Sequence, residues 1–294
     1  MKENIKKTLP AWYKDKTNKY HTILTDDLDS LLSCTILEHE MGWNIEEIFL
    51  FKKGKNEQDI KGKTKNATLS EEIGVDLALH KGKCFDNHIT RFSKNDYKNI
   101  ESINPNLIRN ITRDNYTSKY AGSTVLLLWS LYDLQKEGLT DEAMMILLAI
   151  DSAYLGYYDD RYRRHVKHYL VDMLDLPEFY RCIERHTKKE FEDIKKKYRI
   201  GEKISMKKGY AITKIDLDGI NDVLLWDTST NLEIKLPENR FYCDSYYIDV
   251  VQDIDYRRKV KTYDDIIKQE PYCYALTRKN LLNYSVKIKE NEVA

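Results

Sequence analysis

Apolar residues in the first half of the chain fall either into short runs or into stretches with a three- and four-residue repeat, and the two spacings predict strands and helices respectively. Residues 20–24 read as a short buried strand, 30–41 as a helix closed by Gly42, and 45–51 as a second strand. Residues 73–79 and 83–85 supply two more, with a lysine-rich loop between 51 and 73. Over 118–136, Val125, Leu128, Trp129 and Tyr132 recur at helical spacing ahead of Gly138, and Asp141 opens the next helix. Strands alternating with helices predict an α/β fold, a parallel sheet with helical crossovers. Residues 178–199 continue as a strongly charged helix; after Gly201, residues 210–217, 246–251, 272–276 and 282–288 read as strands of a smaller α/β lobe.

The apolar runs of the first half end in groups that bind cations. Asp26, Asp27 and Asp29 crowd behind Ile23-Leu24, Asp76 follows Ile73-Gly74-Val75, Asp86-Asn87-His88 follows Cys84-Phe85, and Asp151 follows the apolar end of the helix opened by Asp141. Carboxylates at the end of a buried strand repel one another and lose hydration, so they are costly unless a cation or several donors share the site. In open α/β sheets functional groups gather outside the carboxyl ends of the strands, where these acids emerge. Oxygen donors with one imidazole suit Mn²⁺ or Mg²⁺ better than a thiolate-seeking ion. The bland alternative makes the same acids unrelated caps and turn residues, because helix starts favour Asp and Ser.

The order Asp27-x-Asp29-x-x-x-Ser33, then Asp76, then Asp86-Asn87-His88, then Asp151 resembles motifs I to IV of the DHH phosphoesterase superfamily, over roughly residues 19–170. That superfamily includes RecJ-type single-strand exonucleases, nano-RNA and cyclic-dinucleotide phosphodiesterases, and family II pyrophosphatases. The resemblance implies a metal-binding catalytic domain over residues 1–176, a connecting helix over 177–199 and a divergent substrate-binding lobe over 200–294. It implies one or two Mn²⁺ or Mg²⁺ ions, with Asp76 bridging, Asp27 on one ion and Asp29, Asn87 and Asp151 on the other. His88 and Asp86 would be the catalytic groups beside the scissile phosphate. Two ions about 4 Å apart activate a water and clamp both oxygens of an in-line displacement, which is why such chemistry gathers acids from several strands.

Departures from the pattern are equally specific. Where members of the superfamily carry His or Asp two or four residues before the first carboxylate, this chain has Thr25 and Ile23; Asn87 stands for an imidazole, Ser30 for a glycine, and no Gly-Gly-Gly-His run follows. The implied function is metal-dependent hydrolysis of a phosphodiester in a nucleotide, short oligonucleotide or single-stranded nucleic acid. The alternative is an inactive relative that serves as a nucleotide-binding or protein-interaction module.

At 294 residues the chain can bury one large core or two modest ones. Lys plus Arg equals Asp plus Glu at 48 each, so no global field attracts polyanions and any affinity for nucleic acid must be local. Lys63 and Lys65, in the lysine-rich stretch 52–65, read either as solvated surface or as groups that track phosphate. Arg161, Arg164, His165 and His168 share one helical face or its edge, and read either as phosphate contacts or as partners of Asp159, Asp160 and Asp172. Gly62-Lys63-Thr64 lacks the first glycine of a P-loop, Asp216-Leu217-Asp218-Gly219 lacks the later ligands of a calcium loop and reads as a turn between strands, and His165-x-x-His168 lacks further ligands for zinc. Five cysteines without a Cys-x-x-Cys pair read as reduced core residues. The charged start, followed by Thr8-Leu9-Pro10, does not read as a signal peptide, and no apolar window is long enough for a membrane span. The expectation is a cytoplasmic chain away from membranes, with a homodimer left open.

Overall fold

The computed structural model describes residues 1–51, 58–65, 67, 71–134, 138–227, 232–243, 247–252 and 262–287. The order of elements is α1 (Glu3–Lys6), β1 (Tyr20–Leu24), α2 (Leu28–Met41), β2 (Ile45–Leu50), β3 (Gln58–Thr64), β4 (Glu71–Val75), β5 (Cys84–Phe85), β6 (Ser102–Ile103), α3 (Pro105–Ile108) and α4 (Thr124–Leu131). There follow α5 (Asp141–Ala149), α6 (Asp160–Lys167), α7 (Pro177–Arg185), α8 (Lys188–Lys197), β7 (Ile204–Lys207), β8 (Tyr210–Thr213), α9 (Leu217–Asp227), β9 (Phe241–Tyr242), β10 (Tyr247–Gln252), β11 (Pro271–Arg278) and β12 (Leu281–Lys287).

The main sheet runs β11-β12-β10-β3-β2-β1-β4-β5-β6, with β9 beside β3. Strands β2, β1, β4, β5 and β6 are parallel, while β3 and its neighbours on the other side are antiparallel. The α/β class read from the sequence therefore holds, with a parallel half that carries the acids and an antiparallel half beyond it. The expected C-terminal lobe is partly an extension of this sheet, since β10, β11 and β12 continue it past β3; β7 and β8 form a separate two-stranded sheet.

Local chemistry sets the element ends. The Asp27 side chain accepts from the Ser30 N–H at the start of α2, and Gly42, at φ 72°, closes that helix in the left-handed region. Helix α4 is buried along all of its length and starts six residues later than its apolar spacing predicts, because the Ser123 side chain caps it through the Leu126 N–H. The charged stretch expected as one connecting helix is two, α7 and α8, parted at His186-Thr187, where Thr187 and Glu190 form a capping box. Both pack on α5, which lets Phe179, Ile183 and Phe191 face the core. Leu217 opens helix α9 instead of ending a strand, and Asp216, expected in a turn between strands, accepts the Gly219 N–H at 3.1 Å.

The lysine-rich stretch is also a correction. Lys52, Lys53 and Lys55 lie outside the described residues, but residues 58–64 are strand β3, antiparallel to β2. Lys61 and Lys63 turn inward to Glu47, which is wholly buried: Lys63 Nζ lies 2.6 Å from Oε1, Lys61 Nζ 3.0 Å from Oε2, and His21 Nε2 3.1 Å from Oε1. Burial pushes the Glu47 carboxyl up, but His21, Lys61 and Lys63 outweigh it and hold it at about 2. Lys63 is thus engaged by Glu47, and neither Lys63 nor the exposed Lys65 lines the cavities beside the acids.

Candidate metal centre

Four segments converge at the carboxyl end of the parallel strands. Asp26 and Asp27 follow β1, Asp29 lies in the first turn of α2, Asp76 follows β4, Asp86 to His88 follow β5, and Asp151 stands just past the end of α5. Asp29, Asp76 and Asp151 each offer a carboxylate oxygen, all within 4.8 Å of one another, and Asp76, Asp86 and His88 form a second such group. Asp76 therefore belongs to both groups.

Backbone geometry aims two of these acids. Asp76 has φ 53° and Asp151 φ 51°, so both occupy the left-handed region that costs a residue with a side chain more than it costs glycine. Asp29 is held differently: its oxygens accept the N–H groups of Thr124 at 2.8 Å and Val125 at 2.7 Å, the positive amino end of α4. Thr124 Oγ1 also donates to Asp76 at 3.1 Å, and Ser30 Oγ joins the turn after β1 to the end of β4, accepting from the Thr25 N–H and donating to the Val75 carbonyl. Burial first, and then the mutual repulsion of Asp27, Asp29, Asp76 and Asp151, hold the carboxyls of Asp29 and Asp76 well above the ordinary range and raise that of Asp151.

The Asp86-Asn87-His88 segment is locked by residues that sequence reasoning missed. Asp86 is buried and fully engaged: it accepts from His88 Nδ1 at 2.7 Å, the His88 N–H at 3.1 Å and Asn104 Nδ2 at 2.9 Å. These contacts orient His88. With Nδ1 tied to Asp86, His88 presents Nε2 to the cleft. Burial works against the charged ring, but Asp86, Asp76 and Asp151 outweigh it and raise His88 to about 10. Asn104 caps α3 through the Asn106 N–H, and Asn106 Nδ2 donates to the Asn87 carbonyl at 2.6 Å. The run Asn104-Pro105-Asn106 is a legible helix start, a cap followed by proline, though nothing in it names Asp86 as a partner.

Asn87 and Asp27, expected as ligands, each make contacts with other side chains. Asn87 Nδ2 donates to Asp151 at 3.1 Å and to Asp29 at 3.5 Å, so a donor, not an oxygen, faces the acids. Asp27 accepts from Ser30 on one oxygen and from Lys203 Nζ, at 2.9 Å, on the other. Lys203 also reaches Asp26 at 3.1 Å. Nothing in the sequence marks Lys203, an ordinary lysine before β7. Thr25, where the resemblance expects a ligand, is buried with its hydroxyl unpartnered.

The basic helix contributes less than its spacing suggests. Arg161 is largely exposed and pairs with Asp159 at 2.6 Å, and His168 pairs with Asp172 at 3.2 Å, so for both the ion-pair reading accounts for the contact. Arg164 is exposed, its Nε 3.5 Å from His165 Nε2; His165 lines a cavity of about 430 Å³ with Tyr116, Tyr120 and Tyr162. Three cavities adjoin the acids. One, of about 510 Å³, is lined by Asp26, Asp27, Asp76, His88, Lys203 and Arg278, among others; the second, of about 280 Å³, takes in Asp27, Asp29, Asp151, Lys195 and Lys203; the third, of about 180 Å³, takes in Asn87, His88, Asp151 and Lys119.

The donor set of Asp29, Asp76 and Asp151 is all hard oxygen and short of positive charge, which fits one Mg²⁺ or Mn²⁺ ion. Two other groups with metal-ligand chemistry already hold cations: His21, Glu47 and Glu72 carry Lys61, and Asp141 with Cys182 and His186 carries Arg185. No helix among the described residues is long and apolar enough to cross a membrane. Comparison of the chain with family models, with curated proteins and with solved structures finds no match.

Proposed function

We propose that the chain is a divalent-metal-dependent phosphoesterase of the DHH kind, acting on a phosphodiester in a nucleotide, short oligonucleotide or single-stranded nucleic acid. The observation that carries this reading is the meeting of Asp29, Asp76 and Asp151 within 4.8 Å at the carboxyl end of the parallel strands, with Asp76 shared by the Asp86 and His88 group. When bound, a Mg²⁺ or Mn²⁺ ion supplies Lewis acidity toward water and toward a phosphoryl oxygen. The chain's own residues do the rest. Asp86 fixes the His88 ring so that Nε2 can donate to a phosphate oxygen, and Lys203 and Arg278 on the wall of the largest cavity supply positive charge to an anionic substrate.

Turnover of short oligonucleotides, cyclic dinucleotides and pyrophosphate with Mn²⁺, before and after Asp76→Asn, tests the proposal. Hydrolysis of a phosphodiester that falls at least a hundredfold in the variant is expected. A panel without turnover favours the second reading, a non-catalytic nucleotide-binding or protein-interaction module. The amide donor of Asn87 and the ammonium on Asp27 are the observations behind that reading.

A further inference from the structure

In the arrangement the resemblance implies, two ions bridged by Asp76 require Asp27 to hold one of them, and the geometry at Asp27 disagrees; Asp86 and His88 Nδ1 are bonded to each other at 2.7 Å, which leaves that pair poorly placed to hold the second ion instead. We infer that the Lys203 ammonium takes the place of the second ion, so that the centre holds one divalent cation on Asp29, Asp76 and Asp151. The inference rests on the proposed metal centre and specifies what that centre binds.

Position is the first argument. Lys203 Nζ lies 2.9 Å from Asp27 Oδ2 and 3.1 Å from Asp26 Oδ1, ordinary charge-assisted hydrogen bonds to the acids a metal would need. The side chain is about half exposed (45 %), but its backbone is anchored: the Ile204 N–H donates to the Asp26 carbonyl at 2.8 Å, and Thr213 Oγ1 donates to the Lys203 carbonyl at 3.2 Å, so the β7–β8 hairpin holds Lys203 beside the turn after β1. Availability of ligands is the second argument. The other oxygen of Asp27 accepts the Ser30 N–H, and position 25 offers a hydroxyl in place of an anion or an imidazole. A divalent ion entering there would have to displace an ammonium from both neighbouring carboxylates while gaining a neutral ligand.

Consequences follow for the chemistry. Lys203 lines the two cavities that include Asp27, so its charge is available to a phosphate bound on either side of that residue. An ammonium is a point charge with three donors and is strongly hydrated, so it stabilises anionic oxygen without holding a water as acidic as a divalent ion would. The dependence of activity on Mn²⁺ then follows a single binding event.

Calorimetric titration of the full chain with MnCl₂ reads the number of ions directly. One ion per chain in the wild type supports the inference; two of comparable affinity overturn it while leaving the proposed centre intact. No binding at all overturns the centre itself. In Lys203→Met a second Mn²⁺ should bind at least tenfold more tightly than any second event in the wild type, whereas Lys203→Arg should keep one ion; an unchanged second event in the Met variant counts against the inference. Anomalous scattering from wild-type crystals soaked in Mn²⁺ gives an answer that needs no variant: one peak among Asp29, Asp76 and Asp151 supports the inference, and a second peak on Asp27 overturns it.

Discussion

Asn104 is the residue whose removal best separates a positioning effect from simple loss of structure. Its amide donates to Asp86 and to the His88 carbonyl, while its oxygen caps α3. Asn104→Ala is expected to lower kcat by about 10–100-fold with little change in KM, as for groups that orient a catalytic side chain. The cap loss costs about 1 kcal/mol, readable in a denaturant midpoint. Asn104→Asp keeps the cap but sets a second buried carboxylate against Asp86, so kcat should fall and the unfolding midpoint should drop at least as far as in the Ala variant. A midpoint that recovers to the wild-type value would show that the cap, and not the contact with Asp86, is what Asn104 supplies. At this scale the acids of the centre were legible because each follows its own apolar run within a few positions. Lys203 and Asn104 were not, because the groups they serve lie elsewhere in the chain: Lys203 meets Asp27 across 176 positions.

Among elements, β3 carries the clearest lesson about patterning. Its alternation of Lys61, Gly62, Lys63 and Thr64 resembles a solvated loop until β2 offers a buried carboxylate to the lysines, and that partner is invisible from β3 alone. Removing the Glu47 charge leaves Lys61 with Glu72 and weakens the buried acceptor of His21, so Glu47→Gln should cost about 1–3 kcal/mol in urea unfolding. Lys63→Met, at a half-exposed position, should cost no more than about 1 kcal/mol. Neither change should alter Mn²⁺ or nucleotide affinity by more than about twofold, because neither residue lines the cavities beside the acids; a large loss of nucleotide binding in Lys63→Met would return that residue to the substrate site. The split between α7 and α8 was legible in principle, since Thr187-x-x-Glu190 is a capping signal inside an otherwise continuous charged pattern. The start of α4 at Ser123 was hidden because the apolar repeat gives helical phase but not the first residue.

For the molecule as a whole, the centre ties stability to pH and to metal. Asp29, Asp76 and Asp151 have folded-state pKa values above their unfolded ones, so between the two values the folded state holds more protons and stability falls as pH rises. His88 acts in the same sense, contributing stability that is present below about 6.5 and lost as pH climbs through about 10. Glu47, held at about 2, contributes stability above its unfolded pKa, which is lost only as the solution becomes strongly acidic. The metal-free chain should therefore lose thermal stability as pH rises from about 6.5 toward about 10, the interval His88 spans. Added Mn²⁺ at a hundredfold excess over Kd should restore about 2.7 kcal/mol, most visibly at the upper end. Scanning calorimetry with and without chelator checks both, and a metal-free Tm that climbs over that interval would contradict the charge balance of the site. The left-handed turns at Asp76 and Asp151 add a consequence for evolution and for engineering. A library selected only for folding would drift toward glycine at those two positions, relieving backbone cost and repulsion together, so screening this chain for heat resistance would erase its chemistry first.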